Sequence, residues 1–296
     1  MKRIIIYIIC AISAVGLRAA DGDLFPYPKP TDDMESLAER CDLLVSQFWK
    51  RCDFKSAMSK KEALNSTFGD WIGFMPFATA DTVHASIDRL LKAVSKSGPQ
   101  TLEFARMAEA WSHSDTTDIY SDEIFLPFAK AAAAHKKISA DDRRHFATQV
   151  QIIENTQQGK PVGHLNFVTP DGQKGNFDDI HTQMIVVIFG HHSSDAANLA
   201  RVRLSADINA TALIRAGLLT VLYLEPGEAT DEWKAAAEGF PTEWTIGASA
   251  DARQYFPLRM SPTIYLLDAR HKLLAKDIRI DNLLVAMQQL RQNAGL

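Results

Sequence analysis

The sequence predicts an α+β protein of two domains: an all-α amino-terminal domain followed by an α/β carboxy-terminal domain. The chain has 296 residues, a length that favours two domains over one. Apolar residues recur at helical spacing up to about residue 159, and no strand-like alternation precedes Val162. After Pro161, strand-like runs alternate with helical segments, which predicts a mixed central sheet flanked by helices. The predicted segments are 1–20, 21–159 and 160–296.

The amino-terminal segment has the pattern of a secretory signal peptide. Lys2 and Arg3 precede an apolar run over residues 4–15, and the small residues Ala19 and Ala20 follow. The apolar run is shorter than the roughly 20 residues that a bilayer span needs. We therefore expect cleavage near Ala19 or Ala20, export to a periplasm or beyond, and no membrane span in the mature chain.

The overall composition excludes several classes of partner. The net charge is −4, with 46% hydrophobic and 23% charged residues, which is ordinary for a soluble globular protein. A slightly acidic chain of this kind is not expected to bind nucleic acid or an anionic membrane surface. The sequence contains no Gly-rich loop that would cradle a phosphate, and no cofactor is expected.

Cleavage would remove Cys10 and leave Cys41 and Cys52. Cys41 belongs to an apolar stripe with helical spacing. If one helix ran through both residues, the sulfurs would lie about 16 Å apart along its axis, whereas a disulfide needs Cα atoms within about 7 Å. Pairing requires a turn between Trp49 and Cys52, so the sequence favours two buried free thiols and leaves pairing open.

The first domain is predicted to contain several helices after a Pro-rich linker over residues 21–30. Thr31 is a candidate cap for the first helix, which would run to about Lys50. A second helix is expected to begin at Asp81 and to end at Gly98-Pro99. Three more follow, around residues 102–111, 121–132 and 139–153. The aromatic core of this domain is expected to comprise Trp49, Trp71, Phe74 and Trp111.

The second domain is predicted to begin with a hairpin, in which His164–Val168 alternates like a strand. Two continuous apolar runs, Met184–Phe189 and Leu218–Leu224, are typical of central strands covered on both faces. A long, bent helical stretch separates these runs. Extended residues at Trp244–Gly247, a hairpin of Thr263–Leu267 with Lys272–Lys276, and a helix over Asp281–Leu290 complete the domain. Four aromatic residues could line a groove but are expected to pack in the core or at its rim: Trp233, Trp244, Tyr255 and Phe256.

The order of these elements, with Met260–Thr263 directly before the last hairpin, resembles the thioredoxin superfamily. Asn166–Gly172 and Phe177–Ile180 look like the entry hairpin of exported thiol–disulfide oxidoreductases. Phe48–Phe54 resembles the start of an uncharacterised helical domain that precedes thioredoxin-like domains in exported bacterial proteins. The resemblance implies that Ser261-Pro262 contains the family's cis proline and borders a groove for peptide backbone.

The redox cysteines of that family are absent from the aligned positions, which hold Ser193 and Ala196. Thiol–disulfide exchange needs a thiolate at the helix start and a second sulfur three residues later, and serine and alanine supply neither. We therefore expect a redox-inactive, non-catalytic module that holds an extended polypeptide or an envelope protein by backbone hydrogen bonds. Candidate contacts in the loop are His191, His192, Ser194 and Asp195.

Two other roles for the serines of this loop remain open. Ser193, Ser194 or Asp195 can simply cap the following helix. Alternatively, Ser193 could be a nucleophile activated by a histidine, although it lacks a G-x-S-x-G elbow and an orienting carboxylate is not evident.

Further alternatives concern metal binding and the other domain. His191 and His192 could form a metal site with His164 or His181, but no zinc-motif spacing is present, and the prediction is no metal site. Residual thiol–disulfide activity is another alternative. A last one is that the helical domain carries the function and the second domain supports it.

Overall fold

The computed structural model describes residues 24–114, 117 and 119–296. The predicted signal peptide and Cys10 lie outside these residues. The described chain divides into two compact units, with the division between residues 143 and 144. The sequence-based boundary between residues 159 and 160 follows the change from helices to strands and stays a prediction. None of the described helices is long and apolar enough to cross a bilayer.

The first unit is helical, as the apolar periodicity predicts. Its helices are α1 (Leu37–Gln47), α2 (Phe54–Ala57), α3 (Lys61–Phe74), α4 (Ala80–Val94), α5 (Gly98–Ser112) and α6 (Asp122–Ala134). Short 3-10 turns follow α1 at Phe48–Arg51 and α3 at Met75–Phe77. A further helix, α7 (Ala140–Asn155), crosses the division between the units.

Two helix boundaries differ from the prediction. Helix α1 begins after Ser36 and not after Thr31, because Ser36 forms a capping box with Glu39. The side chain of each residue accepts the backbone N–H of the other. Gly98 and Pro99 begin α5 instead of ending α4. Proline is tolerated in a first turn because the N–H that it lacks has no helical partner there.

Aromatic rings form the centre of the first unit. The ring centroid of Trp49 lies 6.3 Å from that of Phe68 and 5.7 Å from that of Trp71, within the range of favourable aromatic pairs. These three side chains are buried, whereas Phe74 and Trp111 are half-buried. The predicted aromatic core is therefore present, with two of its four members at the edge.

Both remaining cysteines are free thiols. Cys41 is buried in α1, and Cys52 is half-buried after the turn Phe48–Arg51. Burial raises the pKa of the Cys41 thiol, with a smaller contribution from Asp42. Burial, aided by Asp53, raises the pKa of the Cys52 thiol to about 12. Neither thiol is therefore a ready thiolate near neutral pH.

The second unit is a mixed sheet flanked by helices, which confirms the predicted α/β class. Its strands are β1 (Asn166–Val168), β2 (Lys174–Asn176), β3 (Met184–Phe189), β4 (Leu219–Glu225), β5 (Thr245–Ala248), β6 (Thr263–Asp268) and β7 (Leu273–Ala275). The helices that begin in it are α8 (Asp195–Ser205), α9 (Ile208–Arg215), α10 (Asp231–Ala237), α11 (Ala252–Tyr255) and α12 (Ile280–Asn293). The strand order is β2-β1-β5-β4-β3-β6-β7.

The direction of the strands sets which of their ends meet. Strands β3, β4 and β5 run parallel to one another, and β6 runs antiparallel to β3. The side chains of β3 alternate between two cores: Val187 and Phe189 pack on one face and Val186 and Ile188 on the other. Three of the candidate groove aromatics, Trp233, Trp244 and Phe256, are buried, whereas Tyr255 is 39% exposed.

The predicted long helical stretch after β3 is two helices, α8 and α9. Asp207 separates them because its side chain accepts the backbone N–H groups of Asn209 and Ala210 and so caps α9. The predicted bend is thus a break with a capping residue.

Candidate functional site

The candidate site is the loop of residues 190–194, which joins β3 to α8. The N–H of Gly190 donates to the carbonyl of Leu224 at 3.0 Å, so the chain leaves the sheet beside the end of β4. The hydroxyl of Ser194 accepts the N–H of Ala197 at 3.3 Å and caps α8. The capping role proposed for Ser193, Ser194 or Asp195 thus falls to Ser194.

A buried glutamate at the end of β4 holds this loop. Glu225 is 3% exposed. Its Oε1 lies 2.6 Å from Nδ1 of His191 and 3.2 Å from Nδ1 of His192, and its Oε2 accepts the backbone N–H of His192 at 2.8 Å. The carboxyl group therefore fixes both imidazoles through Nδ1, and in a neutral ring with Nδ1 protonated the lone pair lies on Nε2.

Ser261 connects the same loop to the segment before β6. The Ser261 hydroxyl accepts the N–H of His191 at 3.0 Å, and the Ser261 carbonyl accepts the hydroxyl of Ser194 at 3.3 Å. The antiparallel register of β3 and β6 pairs Phe189 with the residue that follows Pro262, which brings the two segments together. The Ser261–Pro262 peptide bond is cis.

Gly190 allows β4 to approach the loop closely. A Cβ at this position would collide with the hydroxyl of Tyr223 and lie 3.0 Å from the Cβ of Ala197. The Tyr223 hydroxyl is buried, and burial, together with the nearby Glu225 carboxyl, raises its pKa. The position therefore needs a residue without a side chain.

Other predicted side chains do not join this cluster. His164 contacts the carboxyl of Asp178 through Nδ1, and His181 is exposed. Ser193 is exposed, and among the described contacts no hydrogen bond joins its hydroxyl to His191 or His192. The described residues contain no group of three or more His, Cys, Asp or Glu side chains placed to hold a metal ion. The cluster that the structure assembles is therefore one of histidines, serines and a single carboxyl group.

Comparison with known proteins identifies the fold of the chain. Residues 14–156 match a family model described as a domain of unknown function, DUF5106. The crystal structure of a thioredoxin-like protein from Bacteroides caccae ATCC 43185 superposes with a TM-score of 0.74 at 17% sequence identity, over 89% of this chain and 98% of that one. The second unit has a thioredoxin-like fold.

Shorter solved structures are similar to part of the chain. A conserved protein of unknown function from Bacteroides fragilis is 24% identical, with a TM-score of 0.43, over 44% of this chain and 98% of its own. The thioredoxin domain of a thiol-disulfide oxidoreductase from Bacteroides vulgatus is 18% identical, with a TM-score of 0.39, over 45% of this chain and 97% of its own. No curated protein matches the chain.

The capping residue of α8 indicates which positions a redox thiol pair would occupy in the thioredoxin-like unit. Ser193 and Ala196, the positions aligned from the sequence, are both exposed. Ser194 caps the helix, and Ala197, three residues later, is fully buried. A thiol pair that starts at the helix cap would therefore occupy positions 194 and 197. Neither pair of positions contains sulfur.

Glu225 is the residue of the thioredoxin-like unit that sequence reasoning missed. It lies far along the chain from the loop, and no motif connects them. The parallel register pairs Phe189 with Leu224, so the residues that follow them, Gly190 and Glu225, meet at one edge of the sheet. The available signal was a single acidic residue directly after the apolar run Leu218–Leu224, which was predicted to be a central strand.

Proposed function

We propose that the thioredoxin-like unit binds an extended polypeptide without covalent chemistry. One observation carries this proposal: the loop is held by hydrogen bonds that its N–H groups donate to Glu225 and Ser261, yet neither Ser194 nor Ala197 supplies a sulfur. A serine hydroxyl does not ionise near neutral pH, so thiol–disulfide exchange cannot take place at these positions. What supports binding is the hydrogen-bonded junction between the loop and the segment that contains Ser261 and Pro262.

The chemistry beside Ser261 favours a polypeptide with an apolar side chain. Met260 precedes Ser261 and is 55% exposed, although it is a large hydrophobic residue. Methionine adapts its shape to varied apolar partners. An extended peptide that pairs by backbone hydrogen bonds gains affinity from the main chain and selectivity from alternate side chains. Met260 would meet one of these side chains.

A peptide-binding assay with matched variants tests the proposal. Fluorescence anisotropy of labelled extended peptides, with an apolar residue at their centre, measures the affinity. Met260→Asp should weaken binding about tenfold or more, because it places a charge against an apolar side chain. Val285→Asp is the matched control, because Val285 is 53% exposed on α12, and it should leave the affinity unchanged. Absence of binding, or equal loss in both variants, contradicts the proposal.

We also propose that the protein is exported and that its leader is cleaved near Ala19 or Ala20. The charged, apolar and small residues of the amino-terminal segment support this. Amino-terminal sequencing of the protein from its native cells should begin close to Asp21. A mature chain that retains Lys2 would contradict cleavage.

A second candidate function is acid–base catalysis by the histidines. The observation that favours it is the short contact between Glu225 and Nδ1 of His191, whose side chain is 43% exposed. A carboxyl group that orients an imidazole leaves Nε2 available as a general base. Hydrolysis of an activated ester should then be lost in His191→Gln and retained in His164→Gln. Equal rates for both variants would contradict a catalytic role.

A further inference from the structure

The first unit contains an open cleft that the proposed function does not use. We define the Trp49 cleft by Trp49, Phe54 and Leu90 on its apolar wall and by Lys50, Arg89 and Ala93 at its edge. Its volume is about 390 Å³, within the range of about 300–1,000 Å³ that is typical of small-molecule sites. The cleft therefore has the size to enclose a small organic ligand.

The cleft is lined by residues from the end of α1, the turn that follows it, α2 and α4. Helix α1 ends at Gln47, and the turn Phe48–Arg51 carries Trp49 and Lys50 into the wall. Helix α4 presents Arg89 and Leu90 from the other side. Buried hydrogen bonds fix this geometry, since Ser86 of α4 donates its hydroxyl to the carbonyl of Val45 at 2.6 Å.

The charged groups of the Trp49 cleft are all positive. None of the described residues that line it is acidic. One guanidinium N–H of Arg89 donates to the carbonyl of Ser46 at 3.0 Å, which positions the group, and its other N–H donors have no partner within the described chain. The ammonium group of Lys50 likewise has no partner in the described part of the chain.

Three acidic residues lie near these cations in the sequence: Asp88, which directly precedes Arg89 on α4 and is exposed, and Asp53 and Asp42, which are engaged elsewhere. Asp53 caps α2 by accepting the N–H groups of Lys55 and Ser56. Asp42 accepts the backbone N–H and hydroxyl of Thr79. None of the three lines the cleft, so Lys50 and Arg89 are the charged side chains that a bound ligand would meet there.

The aromatic wall has an unused donor as well. Trp49 is 8% exposed, and its indole N–H has no hydrogen-bond partner among the described residues. A buried donor without a partner lowers stability, so such groups in native proteins call for an explanation. The nitrogen itself is enclosed by protein, so the cleft presents the ring of Trp49 and not its N–H to a ligand.

We propose that the Trp49 cleft binds a small organic carboxylate with an apolar body. Its carboxylate would pair with Arg89 and Lys50, and its ring or alkyl chain would pack against Trp49 and Leu90. Guanidinium and carboxylate groups match in geometry and can form two parallel hydrogen bonds. A fully polar anion such as phosphate is not the preferred occupant, because it has no apolar part to pack against the apolar wall.

Calorimetric titration of the full chain with 3-phenylpropanoate tests this assignment. The neutral isostere 3-phenylpropanamide has the same body without the charge, and we expect it to bind about tenfold more weakly. Arg89→Gln should weaken binding of the acid by a similar factor, whereas Lys92→Gln, on the same helix but outside the cleft, should not. Equal affinity for acid and amide, or no binding at millimolar concentration, would overturn the proposal.

A second pair of variants separates occupancy of the cleft from general surface charge. Ala93→Phe places a ring at the edge of the cleft and should abolish binding of the acid. Ala85→Phe places the same ring at an exposed position of α4 that does not line the cleft, and it should bind as the parent does. If the ring at position 93 leaves the affinity unchanged, the acid binds elsewhere and the assignment is wrong.

Discussion

The loop of residues 190–194 and the turn Phe48–Arg51 contrast in how they could serve thiol chemistry. The loop leads into a helix start, where a thiolate would be stabilised, but it has no sulfur. The turn is followed by Cys52, but burial raises the pKa of that thiol to about 12. Thiol chemistry needs both a thiol and surroundings that favour its thiolate. This chain has the thiol in the first unit and a helix start that would favour a thiolate in the second.

The same two regions also differ in how their polar groups are satisfied. In the loop, the backbone N–H groups of His191 and His192 bond Ser261 and Glu225. Beside the turn, the indole N–H of Trp49 and the ammonium of Lys50 have no partner among the residues described. The polar groups of the loop are thus satisfied within the protein, whereas the exposed ammonium of Lys50 is available to a ligand of the cleft.

Moving sulfur into the loop should have the largest effect. With dithiothreitol as the reductant, we expect the dithiol of Ser194→Cys with Ala197→Cys to catalyse the reduction of insulin roughly 100-fold faster than the parent chain, because the helix start lowers the thiol pKa. The comparison pair is Ser193→Cys with Ala196→Cys, which starts one residue before the cap and should be much less active. Equal activity of the two pairs would contradict the assignment of the cap positions.

Removing the carboxyl group should have the next largest effect. Glu225→Ala leaves two imidazoles and the N–H of His192 without their acceptor, so we expect the opening free energy of β4 to fall by about 3 kcal/mol. Native-state hydrogen exchange of the β4 amides measures it. Glu228→Ala, at an exposed position, should change it by less than about 0.5 kcal/mol. A neutral result for Glu225→Ala would show that the loop does not depend on this residue.

Much of the fold was predictable because its signals are local. The apolar run Met184–Phe189 is strand β3 from end to end, and the hairpin expected before Asp281 is present as β6 and β7. The ends of helices were less predictable. Ser36 and not Thr31 begins α1, because a cap depends on which side chain can close the reciprocal hydrogen bonds.

The site was predictable only in part, because its chemistry depends on register. His191, Ser194 and Ser261 were expected near one another from the resemblance, and hydrogen bonds join them. Glu225 could not be predicted as a member of the site without knowing that β3 and β4 pair in parallel with Phe189 opposite Leu224. A local pattern predicts an element, whereas a contact between two strand ends requires the alignment of both strands.

The close approach at Gly190 allows a smaller test of the loop. Gly190→Ala directs a Cβ into the Tyr223 hydroxyl, and we expect it to lower the free energy of unfolding by about 2 kcal/mol. Tyr223→Phe removes that hydroxyl and should recover part of the loss in the double variant. Gly227→Ala is the control, because a Cβ there meets nothing within 4 Å. Equal destabilisation at both glycines would contradict the proposed collision.

The smallest effect concerns the thiol outside the loop. In a chain whose other cysteines are replaced by alanine, Cys52 should react with an aromatic disulfide at pH 8 about 30-fold more slowly when folded than when unfolded in urea. The raised pKa reduces the thiolate population about 900-fold, and the greater nucleophilicity of the more basic thiolate restores part of the rate. Equal rates in the two states would show that this thiol ionises normally in the folded chain.

The pH dependence of stability follows from the same shift, and its sign can be stated. The unfolded thiol titrates near its ordinary value of 9.0, whereas the folded thiol keeps its proton until about pH 12. Between these values the unfolded state binds fewer protons, so the contribution of Cys52 to stability is complete below about pH 9 and declines as the pH rises. Parent and Cys52→Ala chains, unfolded in urea at pH 8 and pH 10, should therefore differ, with the parent losing more stability. The same loss in both chains would assign the decline to other groups. It would also show that the Cys52 thiol has the same pKa in the folded and the unfolded chain.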